Sequence, residues 1–270
     1  MPETEHTTVS VEVPDLGPVS VQVSVRGEGR PILLLHGGAG LMSVAGFADR
    51  LAAERSARVY TPTHPGFQGT KRPVTLTNMR QLGALYAALL GALNLTGVTV
   101  VGNSIGGWIA AELALLHPKS VVSLVLIDAV GVEVPGHPIA DFFNLSFPQI
   151  AEYSYAQPAA FRIDPTQLSP EAQRMMAGNR AALAVYGGEP SMVDLDLLAR
   201  LPAITLPTLV VWGDADRITA PQNGQAYAEA IPGAQFVLME RTGHLPQIES
   251  PERLLPLLWD FADARPAPLS

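Results

Sequence analysis

The stretch Val98-Thr99-Val100-Val101-Gly102-Asn103-Ser104-Ile105-Gly106-Gly107-Trp108-Ile109-Ala110 decides how this chain reads. A β-branched run ends in Gly-x-Ser-x-Gly, and a small-residue helical run over 108–116 follows at once. Strand, tight turn and helix in that order are what a nucleophile elbow requires. Ser104 then sits at the apex in a strained backbone conformation, and Gly102 and Gly106 lack the Cβ atoms that would collide there. The turn lifts the hydroxyl clear of the sheet and aims a helix N-terminus at the same point. A glycine-rich turn that merely contains a serine would look the same over five residues, so the rest of the chain has to decide.

Outward from the elbow, buried-strand patterns recur. Ile32-Leu33-Leu34-Leu35 and residues 121–127 are apolar runs of the kind a strand covered on both faces shows. Residues 58–60, 208–212 and 235–239 read as further strands. Helical patterns lie between them at 47–55, 77–93, 222–231 and 252–261. Residues 9–13 and 19–25 alternate apolar with polar around Pro14-Asp15-Leu16-Gly17-Pro18, which reads as an antiparallel hairpin at a sheet edge. The whole indicates an α/β fold, a mainly parallel twisted sheet with helices on both faces.

From 131 to 201 the pattern changes. Prolines recur, aromatics cluster (Phe142, Phe143, Phe147, Tyr153, Tyr155, Phe161) and strand signals stop. Helical runs are expected near 139–145, 148–155 and 170–186. The expected organisation is a core of residues 1–130 and 202–270, with a helical cap inserted over 131–201. The proline-rich tail after Phe261 is expected to fray.

The 270 residues suffice for one large α/β domain with an insertion, and 47% hydrophobic against 16% charged residues allows a sizeable core. A net charge of -8 with 17 scattered basic residues argues against a nucleic-acid partner, which needs clustered cations. Having no cysteine removes disulfides, thiolate metal sites and a thiol nucleophile together. No nucleotide fingerprint or metal-ligand cluster is visible, so neither cofactor nor metal is expected. The acidic start Met1-Pro2-Glu3-Thr4-Glu5-His6 lacks the regions of a signal peptide, and no apolar run approaches the ~18 residues of a membrane span. The expectations are therefore a cytoplasmic location, no membrane, a small-molecule partner, and an oligomeric state left open, a homodimer included.

A serine hydroxyl needs a neutral imidazole to take its proton, and the imidazole needs a carboxylate to fix its tautomer. A reacting carbonyl needs donors waiting where its charge develops. Strand ends on one sheet edge can supply all of these, and the candidates here run Ser104, Asp216, His244 along the chain.

At these residues the chain resembles the α/β-hydrolase superfamily over nearly its whole length. His36-Gly37-Gly38 is similar to the family's oxyanion loop, Gly102-Asn103-Ser104-Ile105-Gly106-Gly107 to its elbow, Trp212-Gly213-Asp214-Ala215-Asp216 to its acid turn, and Thr242-Gly243-His244 to its histidine loop. His64-Pro65-Gly66-Phe67 resembles a loop of capped members. The resemblance implies Ser104 as nucleophile, His244 as base, and the backbone N–H groups of Gly38 and Ile105 as oxyanion donors. It gives His36 a loop-supporting role. The family's spacing selects Asp216 as the acid, with Asp214 bracing the turn or solvated and Asp128, a position some relatives use, capping a loop. Of the other histidines, His6 is read as tail, His117 as a helix end, and His64 and His137 as loop residues. Phe142, Phe143, Phe147 and Tyr186 are the pocket candidates, each able equally to pack the cap on the core; Trp108 is read as core.

The leading expectation is hydrolysis of small to medium carboxylic esters through an acyl-enzyme on Ser104. The elbow is also similar to that of C–C hydrolases of ring-fission products, although Leu245 stands where that group has tryptophan and Phe47 lies near its oxyanion-loop asparagine. Cofactor-free perhydrolysis, and a weakly hydrolytic small-molecule receptor on the same fold, are the remaining alternatives. Dependence on neutral imidazole predicts activity that falls as pH drops through roughly 6–7.

Overall fold

The structure is a computed structural model and describes residues 3–265. Eight strands form one sheet in the order β1-β2-β4-β3-β5-β6-β7-β8. They are β1 (Thr4–Val13), β2 (Gly17–Arg26), β3 (Arg30–Leu35), β4 (Ala57–Pro62), β5 (Val98–Asn103), β6 (Val121–Ile127), β7 (Thr208–Gly213) and β8 (Gln235–Met239). The first two make an antiparallel hairpin, and β2 joins β4 antiparallel. From β4 through β3 to β8 all pairs are parallel.

The helices are α1 (Met42–Glu54), α2 (Met79–Ala92), α3 (Ile105–Ala114), α4 (Phe147–Ser154), α5 (Pro158–Phe161), α6 (Pro170–Gly187), α7 (Leu197–Arg200), α8 (Pro221–Ala230), α9 (Pro246–Glu249) and α10 (Pro251–Asp263). Successive strand residues point to opposite faces, so the central strands feed two separate cores. Leu33, Leu35, Val100, Leu124, Leu126, Val210 and Trp212 pack with α2, α3 and α8. Ile32, Leu34, Val101, Val125, Ile127, Leu209 and Val211 pack with α1 and α10. Burial on both sides explains why these strands read as unbroken apolar runs.

Between β6 and β7 the described residues form no strand longer than the isolated bridges Gly131 to Val193 and Val134 to His137; they fold as α4 to α7 with short turns. The structure departs from the sequence reading in several places, the short α5 and α7 among them. Residues 139–145 contain a single 3-10 turn, Phe142–Asn144; the Ala140 N–H donates to Ile218 O at 2.8 Å instead of to a helical carbonyl, and Ile139, Phe142 and Phe143 pack against the core. The helix expected at 47–55 begins at Met42, its start disguised by Gly46. His6 lies in β1, with Nδ1 3.1 Å from Ser24 Oγ, and not in a tail. The short α9 had no sequence signal beyond Pro246 at its first turn. The expected fraying of the C-terminal tail falls beyond residue 265, outside the described residues.

Candidate active site

Ser104 links β5 to α3 at φ 58, ψ −121, a left-handed value that a non-glycine residue adopts only when its surroundings enforce it. A Cβ on Gly102 would strike the Gly106 carbonyl, and one on Gly106 would strike the Leu35 carbonyl. The three-residue crossing therefore fits only with glycine on either side of the serine. The Ser104 N–H donates to Ile127 O at 3.0 Å, tying the apex to β6.

Two loops deliver the partner pair. After β7 the chain turns so that Asp216 Oδ1 accepts from the N–H groups of Ile218 (2.8 Å) and Thr219 (3.1 Å). Its Oδ2 accepts from His244 Nδ1 at 2.8 Å. With Nδ1 holding the proton, His244 presents Nε2 as the ring's basic atom. Both groups are buried. Asp214 is exposed and accepts from the Thr242 N–H at 3.2 Å, bracing the histidine loop. Among the described residues no hydrogen bond joins Ser104 Oγ to the His244 ring, although both line one cavity. Contacts of this kind commonly tighten only in the reacting complex.

Asp128 ends beyond β6 at φ 44 and is fully buried. Its Oδ1 accepts from the Gly213 N–H at 2.8 Å. Burial, and then the negative charge of Asp216, push its carboxyl well above the usual carboxylate range. Asp128, Asp216 and His244 offer atoms within 4.8 Å of one another, yet the His–Asp bond and the backbone donors account for most of them.

The two oxyanion candidates are Ile105 and Gly38. Ile105 opens α3, so its N–H has no intrahelical acceptor. Gly38 follows β3, and a Cβ there would meet Leu183 at 2.7 Å. Both residues line the cavity beside Ser104.

That cavity measures about 460 Å³. Phe142, Phe147, Ile150, Phe161 and Leu183 from the β6–β7 segment form much of its wall, together with Ile218, Leu245 and Ile248. Phe143 and Tyr186, expected in the pocket, are not in its lining. Tyr186 is buried with its hydroxyl donating to Pro65 O at 2.8 Å, and Phe143 packs edge-on against Phe142. Trp108 also lies outside the lining, with Nε1 donating to Glu112 at 3.3 Å. The sequence reading looked for aromatics and missed the methionines Met42, Met175, Met176 and Met192. It also missed Asn103 and Gln247. Asn103 Nδ2 donates to the His244 carbonyl and its Oδ1 accepts from Gln247 Nε2, both at 3.0 Å, so the elbow holds the histidine loop directly. Asn103 precedes the elbow serine, which was the signal available.

The remaining histidines stand apart from the cavity. His36 and His64 are fully buried beneath the Gly37–Gly38 turn, while His117 is exposed after α3 and His137 half-buried.

A model of the alpha/beta hydrolase family matches residues 32–257. The chain is 31% identical over 252 residues to a 2-hydroxymuconate semialdehyde hydrolase of Pseudomonas putida, covering 87% of this chain and 88% of that one. It is 29% identical to Lipase 3 of a Moraxella species, covering 82% and 74%. Among solved structures, a thermophilic esterase from Thermogutta terrifontis superposes with a TM-score of 0.71 at 25% identity, over 96% of this chain and 98% of that one. Fold, elbow and these matches define the class: the protein is a hydrolase enzyme. More particularly, the chain belongs to the alpha/beta hydrolase family. Among the described residues no helix is long and apolar enough to cross a membrane.

Proposed function

We propose that the protein hydrolyses carboxylic esters of small to medium size through an acyl-enzyme on Ser104. The observation that carries this reading is the left-handed serine between its two obligatory glycines, sharing one apolar cavity with a histidine already bonded to a carboxylate. Ser104 Oγ attacks the ester carbonyl carbon while His244 Nε2 takes its proton, and Asp216 stabilises the imidazolium. The tetrahedral oxyanion is held by the N–H groups of Gly38 and Ile105, each worth about 3 kcal/mol of barrier. Collapse expels the alcohol, which leaves with the proton from His244. Water, deprotonated by the same nitrogen, then releases the acid and restores the serine. Residues 131–201 act as the cap that supplies the acyl wall.

A p-nitrophenyl ester series tests this. Ser104→Ala is expected to lower kcat by about 10⁴-fold or more, and a fluorophosphonate is expected to label Ser104 alone. A Ser104→Ala variant that keeps a tenth of the parent's rate would overturn the reading.

The second reading is C–C hydrolysis of a vinylogous diketone acid, favoured by the similarity to the Pseudomonas putida hydrolase. Turnover of such an acid in the absence of p-nitrophenyl ester turnover would select it.

A further inference from the structure

Among the described residues, Asp128 carries a fully buried carboxyl group next to the site that the mechanism above does not use. Its Oδ1 has the Gly213 N–H, but its Oδ2 is buried and meets no donor. The group it faces is another carboxylate, that of Asp216, with an oxygen of each within 4.8 Å of the other. Two carboxylates have only acceptor atoms, so a bond between them forms only if one carries a proton. Asp216 has three donors aimed at it, from His244, Ile218 and Thr219. Asp128 has one. Charge settles on the better-solvated partner, and the proton on the other.

We propose that Asp128 is a positioning residue that donates a carboxylic O–H hydrogen bond to Asp216 and so holds the Asp216–His244 pair in register. This rests on the proposed roles of Ser104, His244 and Asp216. Four acceptor sites are available on a carboxylate, and Asp128 supplies the fourth donor to Asp216. The backbone enforces the arrangement: Asp128 sits at φ 44, a strained value for aspartate, with its N–H donating to Val211 O at 3.0 Å. Burial and the adjoining charge both favour the protonated form. The third acid facing it, Glu249 on α9, works in the same direction; its own oxygens accept from Gly243, Ala156 and Gln157 N–H groups.

A neutral donor and an ionised Asp128 have opposite consequences. Asparagine copies the protonated acid, with its oxygen toward Gly213 and its N–H toward Asp216. If Asp128 were ionised, Asp128→Asn would delete a negative charge near the imidazole and move the acidic limb of the kcat/KM profile down by about one pH unit or more. If it is the donor, that limb stays within about 0.3 pH unit of its place. Asp128→Ala instead removes the donor. Its kcat/KM is expected to fall about 10- to 100-fold with the limb displaced to higher pH, and Asp128→Asn is expected to recover most of that loss.

The experiment measures p-nitrophenyl ester kcat/KM from pH 5 to 9 for the parent, Asp128→Asn and Asp128→Ala, with Ser104→Ala as control. Difference infrared spectra of parent against Asp128→Asn at neutral pH add a readout independent of turnover, a carboxylic-acid C=O band present only in the parent. A downward limb shift in Asp128→Asn, or absence of the band, overturns the proposal. Should Asp128→Ala fail to fold, the Asp128→Asn limb and the band still decide. Should Ser104→Ala remain active, the esterase reading fails while the band still reports whether Asp128 carries the proton.

Discussion

His36 and His64 lie with ring centroids 3.7 Å apart, and every ring nitrogen of the pair is used. His36 Nδ1 donates to Gly37 O at 2.7 Å, and its Nε2 accepts from the His64 N–H at 3.1 Å. His64 Nε2 donates to His36 O at 2.9 Å, leaving Nδ1 to accept from the Tyr86 hydroxyl at 2.5 Å. Each ring is thereby fixed as one neutral tautomer supporting the turn that carries Gly38. Burial holds His36 down at about 4 and His64 well below its ordinary value of 6.5. Between roughly pH 6.5 and 4 the unfolded chain therefore binds protons that these rings refuse, so stability falls as pH is lowered. Asp128 acts oppositely, since there the native state keeps the proton. The net slope expected is on the order of 1 kcal/mol per pH unit, checked by urea unfolding at pH 7, 6 and 5. Tyr86→Phe leaves His64 Nδ1 buried without a donor, and is expected to cost about 1–3 kcal/mol in the same assay. Sequence placed His64 in a Pro-Gly loop and could not tell a buried ring from an exposed one, because its partners are 28 and 22 residues away.

At the scale of elements, the elbow is where local sequence says most. Gly102 answers a steric demand set within the turn itself and Gly106 one set by the backbone at the end of β3, so the strand, turn and helix pattern could be read in advance while the partner that makes Gly106 necessary could not. Gly106→Ala is the sharpest test of that demand. The added methyl group meets backbone of β3, which cannot yield as a side chain would, and the loss expected is more than about 4 kcal/mol or no folded protein. The segment between β6 and β7 was legible only in outline. Its long helix α6 declares itself through Ser169 at the N-cap and Pro170 behind it. The stretch over 139–145 does not, because its apolar residues are spaced for packing on the body and carry no helical stop or start.

The whole molecule is joined across its layers by a cluster that no linear motif announces. Glu112 on α3, only 4% exposed, takes two bonds from Arg200 on α7, at 2.8 and 2.6 Å. Arg200 also bonds Asp194 at 2.7 Å, and Arg80 of α2 bonds Asp194 at 3.0 Å. The carboxylate is thus anchored to the end of the β6–β7 segment, next to the point where the chain re-enters the sheet. Arg200→Ala strands a buried charge, with Arg80 at 4.0 Å as a poor substitute. Removing one partner of a buried pair costs about 3–5 kcal/mol; partial exposure of Arg200 places this case near 2–3 kcal/mol, read from thermal or urea unfolding. Charge spacing along the chain could not foretell it, since Glu112 and Arg200 stand 88 positions apart.

Four of the seven methionines, Met42, Met175, Met176 and Met192, line the cavity. A thioether is soft and apolar, and peroxide converts it into a polar, chiral sulfoxide. Because the chain has no thiol to consume the oxidant first, dilute hydrogen peroxide should strike the cavity wall while leaving Ser104 chemically intact. The signature is an enzyme that loses apolar substrates, still reacts with a small fluorophosphonate, and recovers when methionine sulfoxide reductase is added.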